Sequence, residues 1–162
     1  MKIRPGLGFY FTVDFIVTIV VISVVLSAIV SAINESRKSI EVAAASAEVL
    51  GIYRVPLSTY YALNGEWPTS MEELQQMIPE KAKNTTLSMA ENVRITQGAI
   101  TVDMRKRLSG KTLTIHPAVL AGDPFGPVKW VAGGRSLSPG WTVVGDDGTT
   151  VDEKYIGWLL KR

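Results

Sequence analysis

The sequence contains no cysteine and a single histidine, His116, among its 162 residues. Without cysteine there is no disulfide and no thiolate site. One histidine and no cysteine also exclude a Cys/His zinc site and a Cys/His nucleophile pair within one chain. The formal charge of +2 is too small to indicate a nucleic-acid partner. These absences disfavour an enzyme, and we expect no cofactor and no bound metal.

Charge is also missing from a long stretch near the amino terminus. Residues 15–33 contain no charged side chain, proline or glycine, and this length is close to the roughly 20 residues that a helix needs to cross a bilayer. A secretory signal has a shorter apolar core, and a core helix of a soluble protein is seldom apolar for so long. We therefore predict a membrane-spanning helix. Lys2 and Arg4 before it favour an amino terminus on the inner side.

One acid, Asp14, lies at the amino-terminal margin of this segment. A carboxylate at the middle of a bilayer costs several kcal/mol, and less near the interface, where it reaches water. Two interpretations stay open. Asp14 is either a solvated interfacial charge or the partner of a positive charge, such as the amino terminus of another subunit.

The segment 34–63 predicts a continuation of the same helix. Pro56 predicts a kink or a short break, because proline removes a backbone hydrogen bond and disfavours helix at the residue before it. Asn64-Gly65 is a plausible helix stop. Apolar or small residues recur at spacings of three, four and seven, which places them on one face of the helix. These residues are Ile40, Ala43, Ala47, Leu50, Leu57 and Tyr61.

The remaining sequence predicts a short helix and an antiparallel meander. Thr69 to Glu73 form a potential capping box, opening a helix that Pro79 ends. Period-two segments predict four strands, the first two joined by a Gln97-Gly98 turn: Val93–Thr96, Ala99–Asp103, Thr112–His116 and Val128–Val131. With one apolar face packed on the long helix, these strands give an α+β fold. From Gly133 onward the sequence is typical of loops.

Several local strings resemble type IV pilins of the type IVa, disulfide-loop kind. "TYYALNGEWPTS" is similar to the end of the family's long helix. "NVRITQGAITVDM", "GKTLTIHPAV" and "GPVKWVAG" resemble three consecutive strand regions, and "DEKYIGWLLKR" resembles the carboxyl-terminal segment. Their order implies the pilin fold, a long transmembrane and amphipathic helix packed on a small antiparallel sheet.

The resemblance and the residue patterns together divide the chain into six segments. These are a leader peptide (1–8), the transmembrane half of the long helix (9–33), its amphipathic half (34–64), a helix-to-sheet loop with a short helix (65–92), the antiparallel sheet (93–132) and a carboxyl-terminal loop region (133–162).

The resemblance also implies sites. A prepilin peptidase would cut between Gly8 and Phe9. In the family, a glutamate fifth in the mature chain pairs with a neighbour's amino-terminal amine; here the fifth residue is Val13, and Asp14 lies one place later. Ala132 and Leu160 occupy the positions of the family's two disulfide cysteines. The family's helix-breaking glycine and proline have no counterpart within 15–33.

Without a disulfide, we expect the segment 133–162 to be held by packing and to be the least stable part of the chain. The available anchors are Trp141, Tyr155, Trp158 and Leu159.

The function implied is a membrane-anchored structural subunit of a type IV pilus, minor or specialised. Its partners would be other pilin subunits, the prepilin peptidase and the bacterial inner membrane, and assembly would place the chain in an extracellular pilus. The unbroken membrane segment and the displaced acid leave an alternative, an uncleaved regulatory or binding protein of the pilus or type II secretion machinery.

Three further groups have ordinary structural explanations. His116 lies at the end of a strand, and no nucleophile or acid can be placed beside it, which favours a structural histidine. The acids around Asp147-Gly148 suit calcium but also an ordinary turn. The cations of Arg105–Arg107 and Lys111 lack interleaved aromatics. We expect neither calcium nor nucleic acid as a partner.

Overall fold

A computed structural model describes residues 7–123, 126–134 and 137–156, without the side chains of 7–13 and of Lys81. The chain divides into two units, Met1–Arg37 and Lys38–Arg162. Helix α1 (Leu7–Asn64) is 58 residues long and contributes to both. The Lys38–Asn64 part of α1 packs on a small antiparallel sheet, so the predicted α+β class is confirmed.

Helix α1 continues through Pro56 and ends where the sequence predicts. Pro56 lies inside the helix, so the short break is absent; the side chains of Pro56 and Leu57 are buried in the domain, and this packing compensates for the missing backbone hydrogen bond. At the carboxyl end, Gly65 has φ +75° and donates its N–H to the Tyr61 carbonyl at 2.8 Å. This is the left-handed glycine cap expected at Asn64-Gly65.

Two one-turn helices follow, α2 (Met71–Leu74) and α3 (Glu80–Lys83). The Glu73 carboxylate accepts the backbone N–H of Thr69 at 2.9 Å and its hydroxyl at 2.7 Å. The predicted capping box is therefore only partly formed, because Ser70 caps α2 and its side chain makes no cap hydrogen bond. Pro79 does not end α2, which stops at Leu74. It precedes α3 instead, at a position where its missing N–H leaves no helical bond unmade.

Within the described residues, the sheet contains five strands: β1 (Ala90–Thr96), β2 (Ala99–Met104), β3 (Thr112–Leu120), β4 (Lys129–Ala132) and β5 (Trp141–Val143). A helix α4 (Glu153–Ile156) follows them. The predicted meander is confirmed, because β1-β2-β3-β4 is the strand order and each neighbouring pair is antiparallel. Gln97 and Gly98 both have positive φ, 50° and 78°, as a tight type I′ hairpin turn requires.

The fifth strand was not predicted. Strand β5 pairs with β3 inside the region expected to be loop, and its three residues are too few to show a period of two. Strand β1 also begins at Ala90, three residues before the predicted Val93, with an irregular register between Glu91 and Arg94.

The predicted inner face of the second half of α1 is wrong in its first turns. Ile40 is 63% exposed and Ala47 is exposed, whereas the side chains with no exposed surface are Val42, Ala45, Val49 and Leu57. They pack with core residues of the sheet that include Ile100, Val102, Leu113 and Ile115. This part of the helix is apolar on almost every side, so periodicity alone did not select the inner face.

Candidate assembly site

The first candidate surface is the apolar part of α1 in the amino-terminal unit. Its most apolar window of 18 residues has a mean hydropathy of 2.9, and none of that window is buried. Large apolar side chains such as Phe15 and Val24 are 63% and 64% exposed. Within the described residues this is one helix long and apolar enough to cross a membrane.

Three of the four hydroxyl groups in residues 15–33 are satisfied within the helix. The Thr18 hydroxyl donates to the Asp14 carbonyl at 2.8 Å, Ser23 to Ile19 at 2.8 Å and Ser27 to Ser23 at 2.8 Å. Because each hydroxyl bonds the carbonyl one turn earlier, the span carries these polar groups without needing water.

Asp14 differs from these hydroxyl-bearing residues. Its side chain is exposed, and within the described parts of the chain its carboxylate has no ion-pair or hydrogen-bond partner. Gly8 and Phe9 lie within α1. The side chains of Phe9 and Val13 are outside what the structure describes. Residues 15–33 are helical throughout, as the lack of glycine and proline predicts.

In the second unit, two acids of α1 hold the helix to neighbouring loops. The Glu41 side chain is 6% exposed; it forms an ion pair with the Arg107 guanidinium and accepts the Arg107 backbone N–H at 3.3 Å. Glu48, two turns later on the same side, accepts the backbone N–H groups of Ser88 at 3.0 Å and Met89 at 3.1 Å. Neither interaction corresponds to a sequence motif. The only signal in the sequence is a pair of acids seven residues apart in an apolar helix.

The electrostatics of Glu48 follow from these contacts. Partial burial raises the pKa of its carboxyl, but hydrogen bonds from the Ser88 hydroxyl and from the backbone of Met89 and Ser88 outweigh burial and leave the pKa below the ordinary value. The ionised carboxylate is therefore the form that the fold stabilises.

The side of α1 turned away from the sheet carries small or apolar side chains. We call this set the outer face; its members recur at spacings of three, four and seven residues and are Ile40, Ala44, Ala47, Gly51, Ser58 and Ala62, with the exposed Arg54 beside them between Gly51 and Ser58. They are exposed or half-buried in the isolated chain. A helix face of this composition suits close packing against another helix.

The carboxyl-terminal segment is tied to β3 by threonines. Thr112 donates its N–H to the Thr150 hydroxyl at 2.8 Å and accepts the Thr150 N–H at 2.9 Å. Thr114 donates its N–H to the Thr149 hydroxyl at 3.0 Å, and its own hydroxyl accepts the Gly148 N–H at 3.2 Å. We call Thr112, Thr114, Thr149 and Thr150 the threonine clasp.

The clasp lies beside the position where the resemblance implied a disulfide. Ala132 ends β4 and is 4% exposed, and the next residue, Gly133, donates its N–H to the Thr114 carbonyl at 2.9 Å. Leu160 lies outside the described residues. Hydrogen bonds to β3 therefore hold this segment in addition to packing.

Two of the four predicted anchors, Tyr155 and Trp141, lie within the described residues. Tyr155 is 4% exposed, and Val151 and Ile156, which were not predicted, are 5% and 2% exposed. Trp141 is half-buried, with the Lys129 ammonium 4.1 Å from its ring centroid. Trp158 and Leu159 lie outside the described residues.

His116 is built into the same part of the domain. Its side chain is 1% exposed; Nδ1 lies 3.0 Å from the Val144 carbonyl oxygen and Nε2 lies 3.5 Å from Asp147 Oδ1. Because a carbonyl oxygen only accepts, the neutral ring must carry its hydrogen on Nδ1. The structure thus gives His116 a structural position between β3 and the segment after β5. The expectation that no acid lies beside it was wrong, because Asp147 is distant from His116 in sequence and is brought to the ring by the fold.

The other candidate groups are dispersed or already paired. Across the described ranges, no group of three or more His, Asp or Glu side chains is placed to hold a metal ion. Asp147 lines a pocket of 710 Å³. In the basic loop, Arg105 pairs with Glu91 at 2.9 Å and Arg107 pairs with Glu41, so two of its cations serve the fold.

No known protein-family model matches this chain, and no curated protein matches its sequence significantly. The structure by itself gives a long amino-terminal helix, apolar and exposed in its first part, whose second part packs on an antiparallel sheet. This architecture is compatible with a pilin-like protein.

Proposed function

We propose that this chain is a membrane-anchored, pilin-like structural subunit of a type IV pilus, minor or specialised, that assembles through its amino-terminal helix. The observation that supports this most directly is the division of α1. One part exposes almost only apolar side chains, and the other packs on the sheet while leaving an outer face of small and apolar side chains with one cation, Arg54, beside them. One helix thus provides both an anchor and an assembly surface.

The mechanism follows from the surfaces of α1. In the inner membrane, the apolar span is solvated by lipid and holds the subunit as a reservoir. On assembly the same span is buried against helices of other subunits, and the hydroxyls of Thr18, Ser23 and Ser27 add little cost because they are already satisfied internally. The domain after Lys38 then faces outward.

Cleavage between Gly8 and Phe9 by a prepilin peptidase would release an amine at Phe9. That amine is one cation able to compensate the unpaired Asp14 carboxylate of a neighbouring subunit. The absence of the disulfide does not oppose this function, since the threonine clasp ties the carboxyl-terminal segment to β3.

The test is to express the chain in a bacterium that makes type IV pili, shear off the filaments, and compare filament and membrane fractions. We expect the protein in both fractions, with an intact mass that starts at Phe9. Protein found only in the membrane fraction and starting at Met1 would contradict the proposal.

A second candidate, an uncleaved regulatory or binding protein of the pilus or type II secretion machinery, is favoured by one observation. Residues 15–33 are an unbroken helix without glycine or proline, so the span lacks an obvious point of melting during filament packing. An intact chain starting at Met1 that co-purifies with pilins, while absent from filaments, would support this candidate.

A further inference from the structure

The most exposed large apolar side chains that the structure describes lie outside the membrane-spanning segment. Val55 is 70% exposed and Leu63 is 71% exposed, although both belong to the domain after Lys38. They border a shallow groove of 410 Å³, lined by Arg54, Val55, Ser58, Thr59, Ala62 and Leu63, which we call the helix groove. Exposed apolar surface of this kind in water indicates a contact site.

Arg54 differs from the other charged side chains in the part of α1 that belongs to the domain. The part of α1 within the domain carries four charged side chains: Lys38, Glu41, Glu48 and Arg54. Lys38 bonds the Tyr155 hydroxyl at 3.2 Å, Glu41 pairs with Arg107 and Glu48 bonds Ser88 and Met89. Arg54 is exposed and, among the described residues, has no carboxylate or carbonyl partner. It also lines a neighbouring pocket of 290 Å³ together with Trp130.

The complementary charge is Asp14. It is the one acid at the apolar span, and its carboxylate is likewise unpaired among the described residues. When such a span packs against other helices, a buried carboxylate needs a cation and hydrogen-bond donors. A guanidinium supplies both, because its planar fork matches a carboxylate with two parallel hydrogen bonds.

We propose that the apolar span of a second copy of this chain docks in the helix groove with its Asp14 carboxylate paired to Arg54. This inference rests on the proposed function, since it requires self-assembly through α1. In a parallel arrangement, the stagger that joins Asp14 to Arg54 places Thr18 beside Ser58 and Ile22 beside Ala62. The small Ser58 and Ala62, one turn apart, permit close approach of the two helices, while Val55 and Leu63 lose their exposure to water.

The chain contains no cysteine, which makes disulfide trapping direct. A chain carrying Thr18→Cys and Ser58→Cys, oxidised in sheared filaments, should give disulfide-linked dimers and larger multimers. The matched control carries Thr18→Cys and Ser109→Cys, because Ser109 is exposed in the β2–β3 loop, away from the groove, and should stay monomeric. Equal cross-linking of both pairs would overturn the proposal.

Charge reversal tests the pairing itself. Arg54→Glu in the Thr18→Cys/Ser58→Cys chain should reduce cross-linking by about tenfold, because it sets two carboxylates against each other. Adding Asp14→Lys should restore cross-linking. Cross-linking that is unchanged by Arg54→Glu, or that is not restored by the double reversal, would contradict the pairing.

Different results would contradict the pairing of Asp14 with Arg54 and the proposed function. Two differently tagged copies of the cysteine-free chain, co-expressed and solubilised in detergent, report self-association without regard to register. Copies that do not co-purify and never enter filaments would remove both proposals. Copies that co-purify, with no charge-dependent Thr18–Ser58 cross-link, would remove only the pairing of Asp14 with Arg54.

Discussion

The buried carboxylate of Glu41, on the long helix, is ion-paired with Arg107 of the β2–β3 loop and also receives the backbone N–H of Arg107 at 3.3 Å. The Glu41 side chain is 6% exposed and that of Arg107 is 41% exposed. A carboxylate so placed depends on its cation, because water reaches it poorly. This pair fixes the loop to the helix near the start of the domain.

Replacing Arg107 by alanine should therefore destabilise the domain more than replacing Glu41 by leucine. Arg107→Ala leaves a buried carboxylate without its charged partner and should lower the free energy of unfolding by about 2–3 kcal/mol. Glu41→Leu removes the buried charge itself and should cost under about 1 kcal/mol. Denaturant unfolding of the full chain in detergent measures both, and a larger loss for Glu41→Leu would contradict the argument.

Glu48 should make stability depend on pH. Burial raises the pKa of its carboxyl, but the hydrogen bonds from Ser88 and Met89 leave the pKa lowered in the folded state. A lowered folded-state pKa contributes stability above the unfolded-state value of about 4.3, and that stability is lost as pH falls through the folded-state pKa.

Glu48→Gln should accordingly be less stable than the parent at pH 7, by about 1 kcal/mol, with the difference shrinking below pH 4. Glu80→Gln is the control, since the Glu80 side chain is 82% exposed and should change stability little. Unfolding curves of the three chains between pH 3 and pH 7 check this; a Glu48→Gln deficit that persists undiminished at pH 3 would be the contrary result.

The threonine clasp should set the stability of the carboxyl-terminal segment. Thr114→Val keeps the side-chain shape but removes the hydroxyl that accepts the Gly148 N–H and bonds the Thr101 hydroxyl at 3.0 Å, so we expect a loss of about 1–2 kcal/mol. Amide exchange of residues 148–151 should become faster, while Thr142→Val, at an exposed position of β5, should leave it unchanged. If both variants exchange alike, the clasp does not hold the segment.

Amide exchange in the unmodified chain also tests the expectation that 133–162 is the least stable region. Exchange after Gly133 should be faster than in β2 and β3, because the segment is tied to β3 by few backbone bonds. Exchange as slow as in those strands would mean that the clasp fully replaces the disulfide implied by the resemblance.

His116 should be found as the Nδ1–H tautomer whenever its ring is neutral. The Val144 carbonyl oxygen lies 3.0 Å from Nδ1 and requires a donor there, which leaves Nε2 without hydrogen beside Asp147. Nitrogen-15 chemical shifts of the ring distinguish the tautomers directly. An Nε2–H signal in the neutral ring would contradict the placement of this residue.

Much of the architecture could be predicted from the sequence because the signals are local. The uncharged run from Phe15 to Ile33, the Asn64-Gly65 cap and the Gln97-Gly98 turn each depend on the residues at that point. The alternation of strands β1 to β4 is also local, so their antiparallel order followed from short connections.

The contacts of the candidate site depended on tertiary structure. The inner face of α1 after Lys38 was misassigned at Ile40 and Ala47 because the helix is apolar on nearly all sides. The two acids of this part of the helix, Glu41 and Glu48, bind partners that are distant in sequence. Glu41 meets Arg107 across 66 positions of sequence, and strand β5 forms only because β3 offers an open edge.

The sequence by itself determined that this chain has a long helix with an apolar, exposed first part and a short antiparallel meander, since composition, periodicity and turn chemistry act over a few residues. Tertiary structure alone decided which side of the helix is buried, how threonines tie the carboxyl-terminal segment to β3, and that Arg54 and Asp14 keep no partner among the described residues. Those outcomes depend on which distant groups come within hydrogen-bonding distance, and local sequence carries no record of that.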